Sequence, residues 1–277
     1  MKPYKTILLS LLILPLPLLL GSCEKEEEIE NTRWVLVWSD EFDTPTPDNR
    51  PDPSKWTYEK GASGYGNQEL QNYTDRVENA SYTTHKGLGC LKITALNDNY
   101  DGVAYSSARI KTEGLFEQRY GRFEARLKLP YGPGLWPAFW MLGANYATDV
   151  WPKCGEIDIM ENVGYDPDTI VGSSHTEKYN HAIGTQKNAK IACPDCYKAF
   201  HVYALEWEED EYRLYVDDQL YFTFKNEGTG YEVWPYDKRF HILLNLAIGG
   251  NWGGQKGIDD SLFPHVFEID YVRVYKK

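Results

Sequence analysis

The sequence predicts an all-β protein built from two packed antiparallel sheets. Apolar and polar residues alternate with period two in segments rich in β-branched and aromatic side chains. Clusters of Gly, Pro, Asn and Asp separate those segments. No segment longer than ten residues carries the periodicity of an amphipathic helix. Strands without intervening helices bury their apolar faces by packing sheet on sheet.

Strands are expected at Arg33–Trp38, Leu91–Leu96, Tyr120–Leu129, Phe200–Trp207, Phe240–Ala247 and Val266–Tyr275, each dense in residues that suit a pleated surface. Tyr212–Val216 and Gln219–Phe224 flank Asp217-Asp218, a two-residue connection of the tight-hairpin kind. No repeat of fixed period is present.

The chain of 277 residues is 25% charged and 42% hydrophobic, which excludes a disordered or collagen-like polymer. It is 14% aromatic, with 9 Trp and 21 Tyr. Lys plus Arg number 29 against 41 Asp plus Glu, a formal charge of -12. That balance excludes a broad nucleic-acid surface, which needs clustered positive charge.

Lys2 and Lys5 precede a 14-residue apolar run, Ile7–Leu20, interrupted by Ser10, Pro15 and Pro17. A membrane span needs roughly 20 residues, so residues 1–22 read as a signal peptide. Leu20-Gly21-Ser22-Cys23 resembles a bacterial lipobox, which implies lipidation of Cys23. Residues 23–32 then form an acidic tether, and Glu24-Lys25-Glu26-Glu27-Glu28 resembles the surface-export signal of Bacteroidetes-type lipoproteins. The expected location is the outer membrane at the cell surface of a Gram-negative bacterium, held through the lipid anchor only, as a monomer. Removal of 1–22 leaves 255 residues and takes the formal charge from -12 to -14, because Lys2 and Lys5 are lost. Residues 33–277 form one expected domain.

Cys90, Cys154, Cys193 and Cys196 remain. Cys193-Pro-Asp-Cys196 is expected to be a loop disulfide in an oxidising compartment. A redox pair would follow a strand in a βαβ unit, and a zinc site would need a second close pair; the sequence offers neither.

Gly155-Glu156-Ile157-Asp158-Ile159-Met160-Glu161-Asn162 carries the chemistry. On a strand Glu156 and Asp158 share one face and Ile157 and Ile159 the other. Strict alternation would send Glu161 into the core, at the cost of burying an unpaired carboxylate. A β-bulge near Ile159-Met160 returns Glu161 to the face of the other two acids. Mutual repulsion raises at least one carboxyl pKa. This is what two-carboxylate glycoside chemistry requires, with one acid ionised to attack and the other protonated to release the leaving oxygen. Retention needs carboxyls about 5–5.5 Å apart, whereas four strand steps separate Cα atoms by about 13 Å. Strand curvature and side-chain lean must close that gap. Trp136, Ala138 and Trp140 share a face of the neighbouring segment and form a flat platform for a sugar ring.

With Trp38–Phe42, Gly66–Tyr73, Tyr120–Glu124, Gly134–Met141, Gly155–Glu161, Gly249–Gly254 and Ile269–Tyr275 in order, the chain resembles glycoside hydrolase family 16, of the laminarinase type. The resemblance implies a β-jelly roll with a concave substrate cleft and retaining endo-hydrolysis of laminarin-like β-1,3-glucan through a glycosyl-enzyme intermediate. It assigns Glu156 as nucleophile, Glu161 as general acid/base and Asp158 as their helper. The bulged pattern with Met160 resembles laminarinases and departs from the Glu-x-Asp-x-Glu of lichenase-type relatives.

By the same resemblance Trp136 and Trp140 stack on sugars, Asn67, Arg109 and His175 hydrogen-bond along the cleft, and Trp252 approaches the ligand. No cofactor is implied for catalysis. A structural calcium is implied at Glu41, Gly89 and Asp270, the first two through backbone carbonyls. The alternatives are hydrolysis of mixed-linkage glucan or of a red-algal galactan such as agar or porphyran, or glycan binding without catalysis.

Overall fold

A computed structural model of the chain describes residues 34–277. The expected signal peptide, Cys23 and most of what precedes the first strand lie outside the described residues. Among the described residues the strands are β1 (Val35–Asp40), β2 (Thr57–Glu59), β3 (Gln71–Tyr73), β4 (Ala80–His85), β5 (Leu88–Tyr100) and β6 (Val103–Ser107). They continue with β7 (Arg109–Lys111), β8 (Gly121–Lys128), β9 (Leu135–Gly143), β10 (Glu156–Val163), β11 (Asp166–His175) and β12 (Lys187–Ala192). The last are β13 (His201–Trp207), β14 (Glu211–Val216), β15 (Gln219–Lys225), β16 (Phe240–Ile248) and β17 (His265–Lys276).

Two sheets pack face to face. One has 7 strands in the order β12-β11-β10-β9-β16-β7-β2. The other has 10, running β15-β14-β13-β8-β17-β5-β6-β3, with β1 beside β17 and β4 beside β5. Phe123, Leu127, Leu205 and Leu214 of the larger sheet meet Phe139, Met141, Ile157 and Leu244 of the smaller in one buried core. The alternation read from the sequence thus places one apolar face of each sheet inward. One pairing departs from the expected antiparallel rule: β3 runs parallel to β6. The hairpin at Asp217-Asp218 is present, with φ of 46° and 65°, the left-handed pair that matches strand twist.

β16 is buried along its whole length and pairs with β9 over nine consecutive positions, Phe240 to Ile248. β9 in turn pairs with β10. The acidic strand is therefore held by the best-buried part of its sheet.

Candidate active site

The bulge expected in β10 is present. Against β9, Asp158 faces Trp140, Met160 faces Phe139 and Glu161 faces Ala138. Against β11, Asp158 faces Ser173 while Glu161 faces Val171, so Ile159 and Met160 together oppose Gly172. Ile157, Ile159 and Met160 are fully buried, and Glu156, Asp158 and Glu161 line one groove of about 780 Å³. Tyr221 of the opposite sheet donates its hydroxyl to the Ile159 carbonyl, within the bulge, at 2.7 Å. Gly172 makes room for this, since a Cβ there would lie 2.4 Å from the Tyr221 hydroxyl.

The acids differ in depth. Asp158 is 2% exposed, whereas Glu156 and Glu161 are half-buried at the groove floor. Burial raises all three: Glu156 to about 8, with the charge of Asp158 as second cause, and Glu161 to about 7. Asp158 is raised well above the usual carboxylate range by burial and then by the charge of Glu161. The cluster titrates as a unit and retains protons into the neutral range. Trp136 Nε1 donates to Glu161 Oε1 at 3.0 Å, which favours the ionised form and opposes the rise. The backbone is fixed as well: Tyr236 donates to the Glu156 carbonyl at 3.0 Å.

Asn67, Arg109, Trp136 and Trp140 line the groove, as expected. Arg109 lies 3.0 Å from Glu59 Oε2 and stands over the Trp140 ring at 4.5 Å. One face of Trp140 is thus covered by a guanidinium, and Trp140 Nε1 donates to Asn245 at 2.7 Å.

Two further residues expected to meet sugar are placed differently from these four. His175 is 5% exposed and lies beneath the acids, its Nε2 3.1 Å from Asp158 and 3.8 Å from Glu156. Its strand register opposite Glu156 places it there. Trp252 does not line the groove; it packs edge-on against Trp136 with ring centres 5.3 Å apart. There it braces Trp136 from behind.

The disulfide is corrected: Cys193 and Cys196 are free thiols. Cys196 donates to the Pro167 carbonyl at 3.0 Å, and the two thiols hydrogen-bond to each other.

For calcium, Gly89 presses on the first loop so closely that a Cβ would lie 2.5 Å from the Phe42 carbonyl oxygen. The Glu41 carboxylate is taken by Arg273 at 2.7 Å, leaving its carbonyl. Asp270 sits at a register irregularity of β17, with Oδ2 held by Arg126 at 2.7 Å. Carbonyls at this close backbone approach and the other oxygen of Asp270 are oxygen donors of the kind calcium takes, so the residues fit the ion.

Sequence reasoning missed Tyr65, Glu69, His241 and Asn245 as groove residues. Glu69 falls within the motif Gly66–Tyr73, but nothing in its spacing shows that it enters the groove. A separate hollow of about 1100 Å³ near Arg119, Trp207 and Arg239 contains none of the three acids.

Comparison with known proteins agrees with this geometry. Over 251 residues the chain is 49% identical to a beta-glucanase of Rhodothermus marinus, covering 88% of this chain and 85% of that protein. The crystal structure of the Rhodothermus marinus laminarinase superimposes with a TM-score of 0.83 at 48% identity, covering 89% of this chain and 98% of that one. A glucan endo-1,3-beta-glucosidase of Cryptopygus antarcticus is 36% identical over 276 residues, covering 93% of this chain and 96% of that protein. Residues 54–273 match the family described as glycosyl hydrolases family 16. With that match and these relatives, the chain belongs to glycosyl hydrolases family 16.

Proposed function

We propose that the protein is a retaining endo-β-1,3-glucanase that cleaves laminarin-like glucan. The observation that carries this reading is the bulge in β10, which brings Glu161 to the groove face already occupied by Glu156 and Asp158. The reading is supported by relatives named as beta-glucanase, laminarinase and glucan endo-1,3-beta-glucosidase.

In this reading Glu156 attacks the anomeric carbon as a carboxylate while Glu161 gives its proton to the departing glycosidic oxygen. Glu161 then takes a proton from water, whose oxygen displaces Glu156 from the sugar. Asp158 is the deepest of the three acids. Its charge, after burial, raises the Glu156 pKa, so the two carboxyls share protons near neutral pH and the form with Glu156 ionised is the one that attacks. His175, at 3.1 Å from Asp158, fixes that carboxyl. Trp136 offers an aromatic face to a sugar ring and its N–H to Glu161.

Glu156→Gln tests the assignment. Hydrolysis of laminarin is expected to fall by at least about 10³-fold with binding retained, and turnover near the parent level would reject Glu156 as nucleophile. Proton NMR of the first products is expected to show the β-anomer; initial α-product would mean inversion. A product profile on laminarin, mixed-linkage glucan, agarose and porphyran fixes the substrate.

We also propose that Cys23 carries a lipid anchor at the cell surface, on the strength of Leu20-Gly21-Ser22-Cys23 and the acidic stretch after it. A Cys23→Ala chain that stayed membrane-bound would reject it. A structural calcium among the Glu41 and Gly89 carbonyls and Asp270 completes the proposal.

A further inference from the structure

The connection from β12 to β13 carries the chain from the 7-stranded sheet to the 10-stranded one. It contains Cys193, Asp195 and Cys196 and ends at His201, the first residue of β13. The Cys193 sulfur, an Asp195 carboxylate oxygen and a His201 ring nitrogen all lie within 4.8 Å of one another. The Cys196 sulfur neighbours Cys193 but stands outside this group of three, its thiol donating to the Pro167 carbonyl at 3.0 Å. Both sulfurs are buried, at 4% and 0% exposure.

His201 is oriented from behind. Its Nδ1 is 2.5 Å from Asp217 Oδ2, and Asp217 is itself fixed by accepting from the Val202 N–H at 2.8 Å. Its Nε2 is shielded from solvent and makes no hydrogen bond, although Asp195 Oδ1 lies 3.1 Å away. One ring nitrogen held by a carboxylate, with the other aimed at a sulfur-bearing cluster, is the arrangement of a metal-ligating histidine. The hydroxyl of Tyr203 is buried without a hydrogen bond and lies against Cys193, where a thiolate would accept from it.

We propose that Cys193, Cys196 and His201, with Asp195 as fourth ligand, bind a zinc ion that ties the crossover between the two sheets. Tetrahedral zinc places its sulfur, nitrogen and oxygen donors about 3.3–3.8 Å apart, a small contraction for Cys193, Asp195 and His201, while Cys196 must turn from the Pro167 carbonyl to join them. Thiolates exclude calcium and magnesium, which take oxygen. The sequence offered no second cysteine pair; the fold supplies His201 and Asp195 in its place. Binding releases both thiol protons, and the divalent charge relieves the repulsion that two adjacent buried thiolates would suffer. The ion is structural: all four protein ligands close the shell.

The test uses the full chain, reduced and loaded with Zn²⁺ or Co²⁺, then separated from unbound metal by gel filtration. One zinc per chain is expected by elemental analysis. The cobalt form is expected to show thiolate-to-cobalt charge-transfer absorption in the near ultraviolet. Among the described residues the other cluster with metal-like spacing, Glu156, Asp158 and His175, holds no sulfur, so cobalt there leaves that absorption absent. Cys193→Ser is expected to cut the band by about half or more and Cys193→Ser/Cys196→Ser to abolish it, and His201→Gln to weaken cobalt affinity at least tenfold, with laminarin hydrolysis retained in each. The wild-type spectrum stands even where a variant fails to fold. No bound zinc, zinc without the sulfur band, or a Cys193–Cys196 disulfide in chain isolated without reductant would overturn the proposal.

Discussion

Tyr221 donates its hydroxyl to the main-chain carbonyl of Ile159 at 2.7 Å, so a residue of one sheet completes the bulge that shapes the acidic strand of the other. Tyr221→Phe removes that hydrogen bond. The expected cost is about 0.5–1.5 kcal/mol in stability, measured by denaturant unfolding. Because the bulge aims Glu161, kcat is expected to fall with little change in KM. Unaltered stability and kcat together would show that the bulge stands without it.

Asp158 supplies the second cause of the raised pKa of Glu156, after burial. Asp158→Asn removes that negative charge, so the Glu156 pKa drops. The optimum of the kcat/KM profile is expected to move to lower pH, with a reduced maximum. An optimum that moved to higher pH would contradict the electrostatic role given to Asp158.

Trp136→Phe keeps an aromatic face and removes the N–H that now lowers the Glu161 pKa. Glu161, held at about 7, is then expected to rise, and the pH optimum of kcat/KM with it. An unchanged optimum would mean that the profile does not report Glu161.

Glu156 is raised from 4.5 to about 8, so its burial weakens the fold as pH rises. The unfolded chain releases this proton near 4.5, while the folded chain holds it until about 8. Stability from the protonated group is complete below the lower value and is lost as pH climbs to the upper one. Glu156→Gln has no proton to lose. Its advantage in melting temperature over the parent is expected to grow between pH 5 and about 8. An advantage that shrank over that range would reverse the sign of the shift.

Calcium withdrawal gives a further check. Addition of EGTA is expected to lower the melting temperature of the parent, and excess calcium to restore it. In Asp270→Asn, which lacks the carboxylate now facing Arg126, the response to calcium is expected to be much smaller. A parent indifferent to EGTA would remove calcium from the account.

Much of the fold was legible because strand alternation is local. The hairpin at Asp217-Asp218 and the strands β8, β13, β16 and β17 follow from period-two patterning. The bulge was legible because only one arrangement spares Glu161 from the core. What the sequence did not disclose depends on pairings between distant segments. His175 sits under the acids because β11 pairs with β10 in a register that faces it with Glu156. Tyr221 lies 62 positions from Ile159 along the chain. The close approach of His201 to Cys193 depends on where β13 begins. The parallel pairing of β3 with β6 arises from a long excursion that no local pattern marks.

Seen from β9, the acids arrive opposite Leu142, Trp140 and Ala138, at every second residue. The inserted amino acid is thus invisible to the groove and belongs wholly to the interior. Deleting Met160 would keep the carboxylates in phase with their neighbour while emptying an apolar slot between the layers. The penalty of such a shortened chain would appear first in its resistance to heat, and only secondarily in its chemistry.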